Sequence, residues 1–241
     1  MLGIIGGSGL LKSSFFSNCE IRVVETQYGS VKLHFGQGFV FCQRHQADPQ
    51  KEYTPPHLIN KKAILTAFKT VGVTNIAAFA SVGSLKSDIP LGTLMVADDF
   101  FNIWDCVTFF DDARGHFVPV MENDFRSQII ELLKQDSVVS PSLRDHGTYV
   151  QTNGPRFETK SEIRFYQTVA DVVGMTAAHE IILACELKIP IALICMVDNM
   201  ANGIQKEQLT LEEFHKGVAR NQVIVERVAE LVLQNFAKNN N

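Results

Sequence analysis

The segment IALICMVDNMANG, residues 191 to 203, decides the fold. Together with Ile189 and Pro190, its first seven residues form an apolar run that is typical of a buried strand. Asn199 lies just beyond that run, where open α/β sheets place their ligand sites. Its carboxamide can donate and accept hydrogen bonds at once, so it suits a ligand that presents both a carbonyl and a ring nitrogen.

Short strands and helices alternate outward from this segment. Strand-like runs lie at 2–6, 21–26, 31–35, 39–43, 75–83, 92–100, 147–154 and 189–197. Helical apolar spacing is found at 57–72, 125–137, 161–170, 179–188 and from Thr210 to about Lys238. The alternation predicts one α/β domain over residues 1–241, with a mostly parallel or mixed central sheet and helices on both faces. The Asn-rich end KNNN, at 238–241, is expected to be frayed.

The composition is that of a folded globular protein. Hydrophobic residues make up 46% of the chain and charged residues 20%, which excludes a disordered chain. The net charge of −4 excludes a nucleic-acid partner, so any anion must be bound by a few placed donors. The five cysteines lack CxxC or zinc spacing and are expected to be reduced thiols. The first ten residues lack the basic region of a signal peptide, so none is expected. No apolar run reaches the ~18 residues of a membrane span, so a cytoplasmic protein with no membrane partner is expected.

Four strand ends carry residues suited to an anion. GGSG at 6–9 offers close-approaching backbone N–H groups and the Ser8 hydroxyl. Arg44 and His45 end another strand, and a guanidinium there can hold a phosphate by two parallel hydrogen bonds. ASVGSL at 80–85 and GMT at 174–176 add further amides and hydroxyls. A strand-ending turn or a surface ion pair would explain any one of these motifs. Four such motifs in an acidic chain predict a local anion site.

The segment NGPRFET, residues 153 to 159, suits a flat heterocycle. Phe157 can pack on the face of such a ring while Glu158 accepts from its N–H edge. An irregular turn with an exposed Glu158 is the alternative interpretation. His57 follows two prolines, at a point where a ligand hydroxyl could reach it. No Ser/His/Asp or Cys/His triad can be assembled, and the sequence contains no HExxH or EF-hand spacing.

Taken in order, the motifs GGSG, RH, PPHLIN, ASVGSL, NGPRFET, GMTAAHEIILA and MVDNMANG resemble the trimeric nucleoside phosphorylase family. This family includes purine nucleoside phosphorylases and methylthioadenosine phosphorylases. The resemblance runs from Gly6 to the last helix. It implies an α/β nucleoside phosphorylase fold with a mixed, barrel-like sheet, a homotrimer with shared active sites, and inorganic phosphate as co-substrate. No metal or organic cofactor is implied.

The resemblance also implies roles for individual residues. The phosphate site would consist of Ser8, Arg44, His45, Ala80, Ser81 and Thr176. Met175 would lie against the ribose, and Phe157 and Glu158 would line the base. Asn199 would hydrogen-bond the N7/O6 side of the base, with Glu158 holding N1–H, and these two are the candidate catalytic residues. The segment around Phe117 resembles the part of the family that reaches into a neighbouring subunit's site.

Two positions bear on the base. The adenine-specific branch has ATDYD in its late motif, whereas the corresponding stretch here is VDNMA, with Asn199 and Ala201 at the aspartate positions. Glu158 stands where the adenine branch commonly has serine. Both differences imply a 6-oxopurine. A shift of one residue in this comparison would put Asp198 at the base instead.

Leu211 bears on the sugar. The inosine and guanosine enzymes carry a histidine near this position to meet a 5′-hydroxyl. Leucine favours an apolar 5′-methylthio group by roughly 1–3 kcal/mol, unless it is simply a core residue. Together these features predict phosphorolysis of S-methyl-5′-thioinosine. Purine nucleoside phosphorylase acting on inosine or guanosine and methylthioadenosine phosphorylase are the alternatives, and a non-catalytic purine-binding protein and a hydrolytic nucleosidase also remain open.

Overall fold

The computed structural model describes residues 1–237. The predicted frayed end at 238–241 and the predicted helix end at Lys238 lie outside the described residues. Over residues 1–237, no helix is both long enough and apolar enough to cross a membrane.

A large mixed sheet forms the centre of the protein. Its strands are β1 (Leu2–Gly6), β2 (Glu20–Thr26), β3 (Gly29–Gly36), β4 (Phe39–Gln43), β5 (Asn75–Ser84), β6 (Leu94–Val96), β7 (Asp99–Phe101), β8 (Leu143–Arg144), β9 (Thr148–Gln151), β10 (Val172–Gly174) and β11 (Ile191–Met200). The order along one path is β2-β3-β4-β1-β5-β10-β9-β7, and β5 also pairs with β11. β1, β4, β5 and β11 run parallel through direct pairings, so their carboxyl ends meet at one edge.

Helices cover the sheet on both sides. They are α1 (Lys61–Thr70), α2 (Asp124–Gln135), α3 (Lys160–Tyr166), α4 (Ala177–Glu186) and α5 (Leu211–Phe236). One apolar cluster joins α1 and α4 to the sheet, and a second joins α2 and α5 to it. Alternate residues of β11 divide between the two, with Leu193 in the first and Ile194 in the second. Burial on both faces explains the unbroken apolar run of this strand.

The structure differs from the predicted elements at a few boundaries. The helix predicted over 57–72 begins at Lys61, because Pro55 and Pro56 lead into a short 3-10 turn and Asn60 caps the helix through its side chain. The single strand predicted over 92–100 is two strands, β6 and β7. The three-residue strand β10 has no counterpart among the predicted strands, since so short a run shows no periodicity.

Candidate active site

A cavity of about 240 Å³ lies where β1, β4, β10 and β11 end. All but two of the residues predicted for the site line it. They are Ser8, Arg44, His45, Ala80, Ser81, Phe157, Glu158, Met175, Thr176, Asn199, Ala201 and Leu211. Ala80 and Ser81 were expected at a strand-to-loop junction, but both lie within β5, which continues to Ser84. The chain therefore brings together segments as far apart as Ser8 and Leu211.

Arg44 is fixed by a partner that the sequence analysis missed. Its Nε and one terminal nitrogen donate to the two carboxylate oxygens of Glu180, at 2.7 and 2.8 Å. The other terminal nitrogen donates to the carbonyl oxygen of Phe79 at 2.6 Å. Both side chains of the pair are buried, with exposures of 1% and 0%. A guanidinium has five N–H groups, so two remain that can bind an anion in the cavity.

Gly7 makes room for this guanidinium. A Cβ atom at position 7 would lie 2.6 Å from the Nη1 atom of Arg44 and 2.7 Å from the carbonyl oxygen of Phe79. The carbonyl of Gly7 also accepts a hydrogen bond from Gln43 at 3.1 Å. The GGSG motif was interpreted as a backbone approach to an anion. At Gly7, the structure shows close approach of a side chain and of the neighbouring strand.

His45 is held on the same side of the cavity. It is 4% exposed, its ring stacks on Tyr53 with centroids 5.2 Å apart, and its Nδ1 lies 2.9 Å from the carbonyl oxygen of Thr54. Burial lowers the pKa of His45 to about 4, and the neighbouring charges of Arg44 and Lys61 act in the same direction. The imidazole is therefore neutral at physiological pH.

Thr176 can contact a ligand through its side-chain hydroxyl, because its backbone N–H already donates a hydrogen bond within the protein. The hydroxyl of Tyr149 accepts from the N–H groups of Thr176 and Ala177, at 3.1 and 3.2 Å, at the start of α4. The Thr176 side chain makes no capping hydrogen bond to its helix. The Thr176 hydroxyl can therefore donate a hydrogen bond to an anion in the cavity. The Tyr149 hydroxyl occupies the position at the helix N-terminus where an anion often binds.

Asn199 lines the cavity, whereas its neighbour Asp198 does not. β11 has a bulge between Val197 and Asn199. Asp198 is 2% exposed, and its Oδ1 accepts from Asn221 of α5 at 2.8 Å. The carboxamide of Asn199 donates to the carbonyl oxygen of Met200 at 3.0 Å, which leaves Oδ1 and one N–H for a ligand. Gly83 borders this carboxamide so closely that a Cβ there would lie 3.0 Å from its nitrogen.

Glu158 is buried beside the cavity. Its Oε1 accepts from the hydroxyl of Thr152 at 2.6 Å, so Oε2 is available to a ligand. Burial raises the pKa of Glu158, and the hydrogen bond from Thr152 partly opposes that rise. A carboxylate in this position can accept a hydrogen bond from an N–H edge.

The mouth of the cavity is apolar and less enclosed. Leu211, the first residue of α5, is 60% exposed, so it is not a core residue. Phe157 lies against Phe214 of the same helix, with ring centroids 6.1 Å apart. Leu209 also lines this part of the cavity, and the sequence analysis did not identify it.

Two predicted site residues lie elsewhere. His57 was expected where a ligand hydroxyl could reach, but it is exposed in the 3-10 turn before α1 and does not line the cavity. The adjacent Pro55 and Pro56 line it instead. Phe117 is 38% exposed and also lies outside the lining of its own chain's cavity.

Several known proteins are similar to this chain. Residues 2–234 match the sequence profile of the Phosphorylase superfamily. A probable 6-oxopurine nucleoside phosphorylase of Archaeoglobus fulgidus is 35% identical over 88% of this chain and 87% of its own length. A probable S-methyl-5′-thioinosine phosphorylase of Methanothermobacter thermautotrophicus is 39% identical over 88% of this chain and 76% of its own length.

A similar fold is found in a solved structure. Methylthioadenosine phosphorylase from Schistosoma mansoni, in complex with adenine, is 25% identical. The similarity covers 98% of this chain and 92% of that one, with a TM-score of 0.81. This agreement confirms the predicted fold class, a mixed sheet flanked by helices.

Proposed function

The chain belongs to the Phosphorylase superfamily, as its motifs indicated, and from that premise we propose that it catalyses phosphorolysis of a 6-oxopurine nucleoside. The proposed preferred substrate is S-methyl-5′-thioinosine, which would give hypoxanthine and 5-methylthioribose 1-phosphate. The pairing of Asn199 and Glu158 on one cavity carries the proposal. One presents a donor and an acceptor to N7 and O6, and the other presents a carboxylate to N1–H.

The proposed mechanism works by positioning and electrostatics. Phosphate would lie beneath C1′, held by Arg44, His45 and the hydroxyl groups of Ser8, Ser81 and Thr176. As the C1′–N9 bond breaks, negative charge grows on the purine. Asn199 would stabilise that charge through N7 and O6. Inorganic phosphate is the co-substrate, and the proposal includes no metal or organic cofactor.

The apolar mouth supports the methylthio assignment. Leu211, Leu209 and Phe214 offer carbon surfaces to a 5′ substituent. A thioether is compatible with such surfaces, whereas a 5′-hydroxyl would lose its hydrogen bonds with water without gaining a partner there. Inosine or guanosine is therefore the second candidate substrate. Methylthioadenosine is the third, because an unprotonated N1 cannot donate to Glu158.

One assay tests the proposal against its alternatives. Release of free base is measured with and without phosphate on methylthioinosine, inosine, methylthioadenosine and adenosine. We expect phosphate-dependent release, fastest from methylthioinosine. Release without phosphate would indicate a nucleosidase, and binding without release would indicate a non-catalytic purine-binding protein.

The Asn199→Asp variant tests the base contact. Aspartate cannot donate to O6 unless it is protonated, so activity on the 6-oxopurine should fall by roughly tenfold or more while the KM for phosphate changes little. Asn18→Asp is a matched control, because Asn18 is exposed and does not line the cavity. Equal turnover by the Asn199→Asp variant and the unaltered protein would refute the assignment.

We also propose that the protein is a cytoplasmic homotrimer whose subunits complete one another's sites. The segment that would reach the neighbour carries exposed apolar residues, with Phe117, Val118 and Val120 at 38%, 83% and 58% exposure. Exposed apolar groups of this kind are typical of a protein interface. Sedimentation should give a trimer mass. Mixing inactive Phe117→Ala subunits with inactive Asn199→Ala subunits should restore part of the activity, and a monomer of full activity would contradict this proposal.

A further inference from the structure

The tautomer of His45 is fixed by its surroundings. Nδ1 lies 2.9 Å from the carbonyl oxygen of Thr54, and a carbonyl oxygen can only accept. Nδ1 must therefore carry the hydrogen. Stacking on Tyr53 keeps the ring in this orientation. Nε2 is then the ring nitrogen left for a ligand, and in the neutral ring it is an acceptor with no hydrogen to donate.

Burial keeps the His45 ring neutral, and the neighbouring cations act in the same direction. Arg44 adjoins it in sequence, and Lys61 of α1 is buried nearby with its ammonium group donating to the carbonyl oxygen of Pro56 at 2.8 Å. Both are cations, and both lower the pKa of His45. The acidic Glu180 of α4 is engaged by Arg44 through both of its oxygens. The neutral His45 ring therefore presents a lone pair at Nε2.

A lone pair and a bare anionic oxygen repel each other, so a hydrogen must lie between them. At about pH 8 phosphate is mainly the hydrogen phosphate dianion, which has one hydroxyl and three bare oxygens. The two free N–H groups of Arg44 and the hydroxyl of Thr176 suit the bare oxygens. The phosphate hydroxyl suits Nε2.

We propose that His45 makes the site selective for an oxyanion that carries a hydroxyl, such as phosphate or arsenate, over one that does not, such as sulfate. The proposal rests on the proposed phosphate site and adds a specificity-determining role for His45. The hydroxyl of the oxyanion donates to Nε2. When sulfate binds, Nε2 must instead take up a proton from the solvent. His45 then donates a hydrogen bond to a sulfate oxygen.

Binding of the three anions to the unaltered protein tests this selectivity. Isothermal titration calorimetry at about pH 8, in two buffers of different ionisation enthalpy, gives the Kd and the number of protons taken up. We expect phosphate and arsenate to bind with similar Kd and without proton uptake. Sulfate should bind roughly tenfold more weakly or worse, with proton uptake, because protonating a buried imidazole whose pKa is lowered is costly at this pH. Equal Kd values for sulfate and phosphate, or equal proton uptake, would overturn the proposal.

The His45→Gln variant provides a second test. A glutamine side chain can offer N–H as well as oxygen, so the ratio of the sulfate and phosphate Kd values should approach one. His146→Gln is the matched control, since His146 is exposed and does not line the cavity, and it should keep the original ratio. A folded His45→Gln protein with the original ratio would refute the role of His45. Phosphorolysis without anion selectivity would refute this inference alone, whereas failure of phosphate to bind at all would refute the proposed function.

Discussion

The two ends of the cavity differ in how their side chains are held. At the anion end, Arg44 and Glu180 are buried and joined by two hydrogen bonds. At the mouth, Leu211 is 60% exposed and Phe214 meets Phe157 only through ring packing. The fold itself fixes the groups at the anion end, which is the condition for electrostatic preorganisation. Side chains at the mouth can be substituted with little loss of folding stability. The part of the cavity suited to binding phosphate is therefore separate from the part suited to selecting the nucleoside.

The largest effect is expected at the anion end, from Glu180→Ala. The substitution leaves the Arg44 guanidinium buried without its carboxylate, and breaking such a pair costs about 3–5 kcal/mol. Chemical denaturation should show a loss of this size in the free energy of unfolding. Glu20→Ala is the control, because Glu20 pairs with Arg22 in an exposed ion pair, and it should leave the unfolding midpoint almost unchanged. Similar effects of the two variants would remove the contrast between the anion end and the surface.

A smaller effect, confined to base recognition, is expected from Gly83→Ala. The new methyl group would lie 3.0 Å from the Asn199 amide nitrogen and 3.3 Å from Val173, so the carboxamide must shift. Overpacking of this kind costs about 1–3 kcal/mol, and kcat/KM on the 6-oxopurine should fall roughly tenfold or more. The KM for phosphate should change much less. An unaltered kcat/KM in a folded variant would show that the position of Asn199 is not critical.

At the mouth, Leu211→His should change selectivity without weakening the fold. An imidazole can hydrogen-bond a 5′-hydroxyl, so the ratio of methylthioinosine to inosine turnover should shift toward inosine by roughly tenfold. The thermal midpoint should stay nearly constant because the side chain is exposed. Leu58→His is the matched control, since Leu58 is 58% exposed and does not line the cavity. An unchanged ratio would count against a contact between Leu211 and the 5′ group.

The subtlest effect is on the pH dependence of base selection. Burial raises the pKa of Glu158, so its carboxylate takes up a proton at a higher pH than an ordinary glutamate does. The protonated form is a weaker acceptor for N1–H, and it can donate to the N1 of an aminopurine. The preference for methylthioinosine over methylthioadenosine should therefore weaken as the pH falls through this pKa.

Thr152→Val sharpens that measurement. The Thr152 hydroxyl donates to Glu158 and lowers its pKa, so the loss of this hydrogen bond should move the acid limb of the profile to higher pH. Profiles of kcat/KM for both nucleosides, on both proteins, measure the shift. An acid limb that does not move, or that moves to lower pH, would contradict the proposed role of Glu158.

Sequence patterns predicted the fold best where they coincide with burial. β1 and β4 were predicted with the bounds that the structure gives, because each is an apolar run that ends where polar or glycine residues begin. β10 is the contrary case. Three residues carry too little pattern, and its existence depends on pairing with β5 and β9.

Sequence patterns identified most of the predicted residues that line the cavity, but not the residues that hold them in place. Glu180 was overlooked, although an acidic residue among the apolar residues of α4 is a signal, since a buried carboxylate needs a partner. The orientation of Asp198 and Asn199 could not be deduced from the sequence. Successive side chains of a strand point to opposite faces, but the bulge in β11 interrupts that alternation. The position of the bulge depends on the pairing of β11 with β5.

The contact between Gly7 and Arg44 has an evolutionary consequence. The guanidinium occupies the volume that a side chain at position 7 would need, so the two positions are not free to vary independently. Gly7→Ala should be most harmful beside arginine and less harmful beside serine at position 44, where only the clash with the carbonyl oxygen of Phe79, at 2.7 Å, would remain. The size of the effect of one substitution thus depends on the residue at the other position, 37 residues along the chain. Among homologous sequences, arginine at position 44 should therefore always be accompanied by glycine at position 7, and the glycine should be replaced only where the arginine has already been lost.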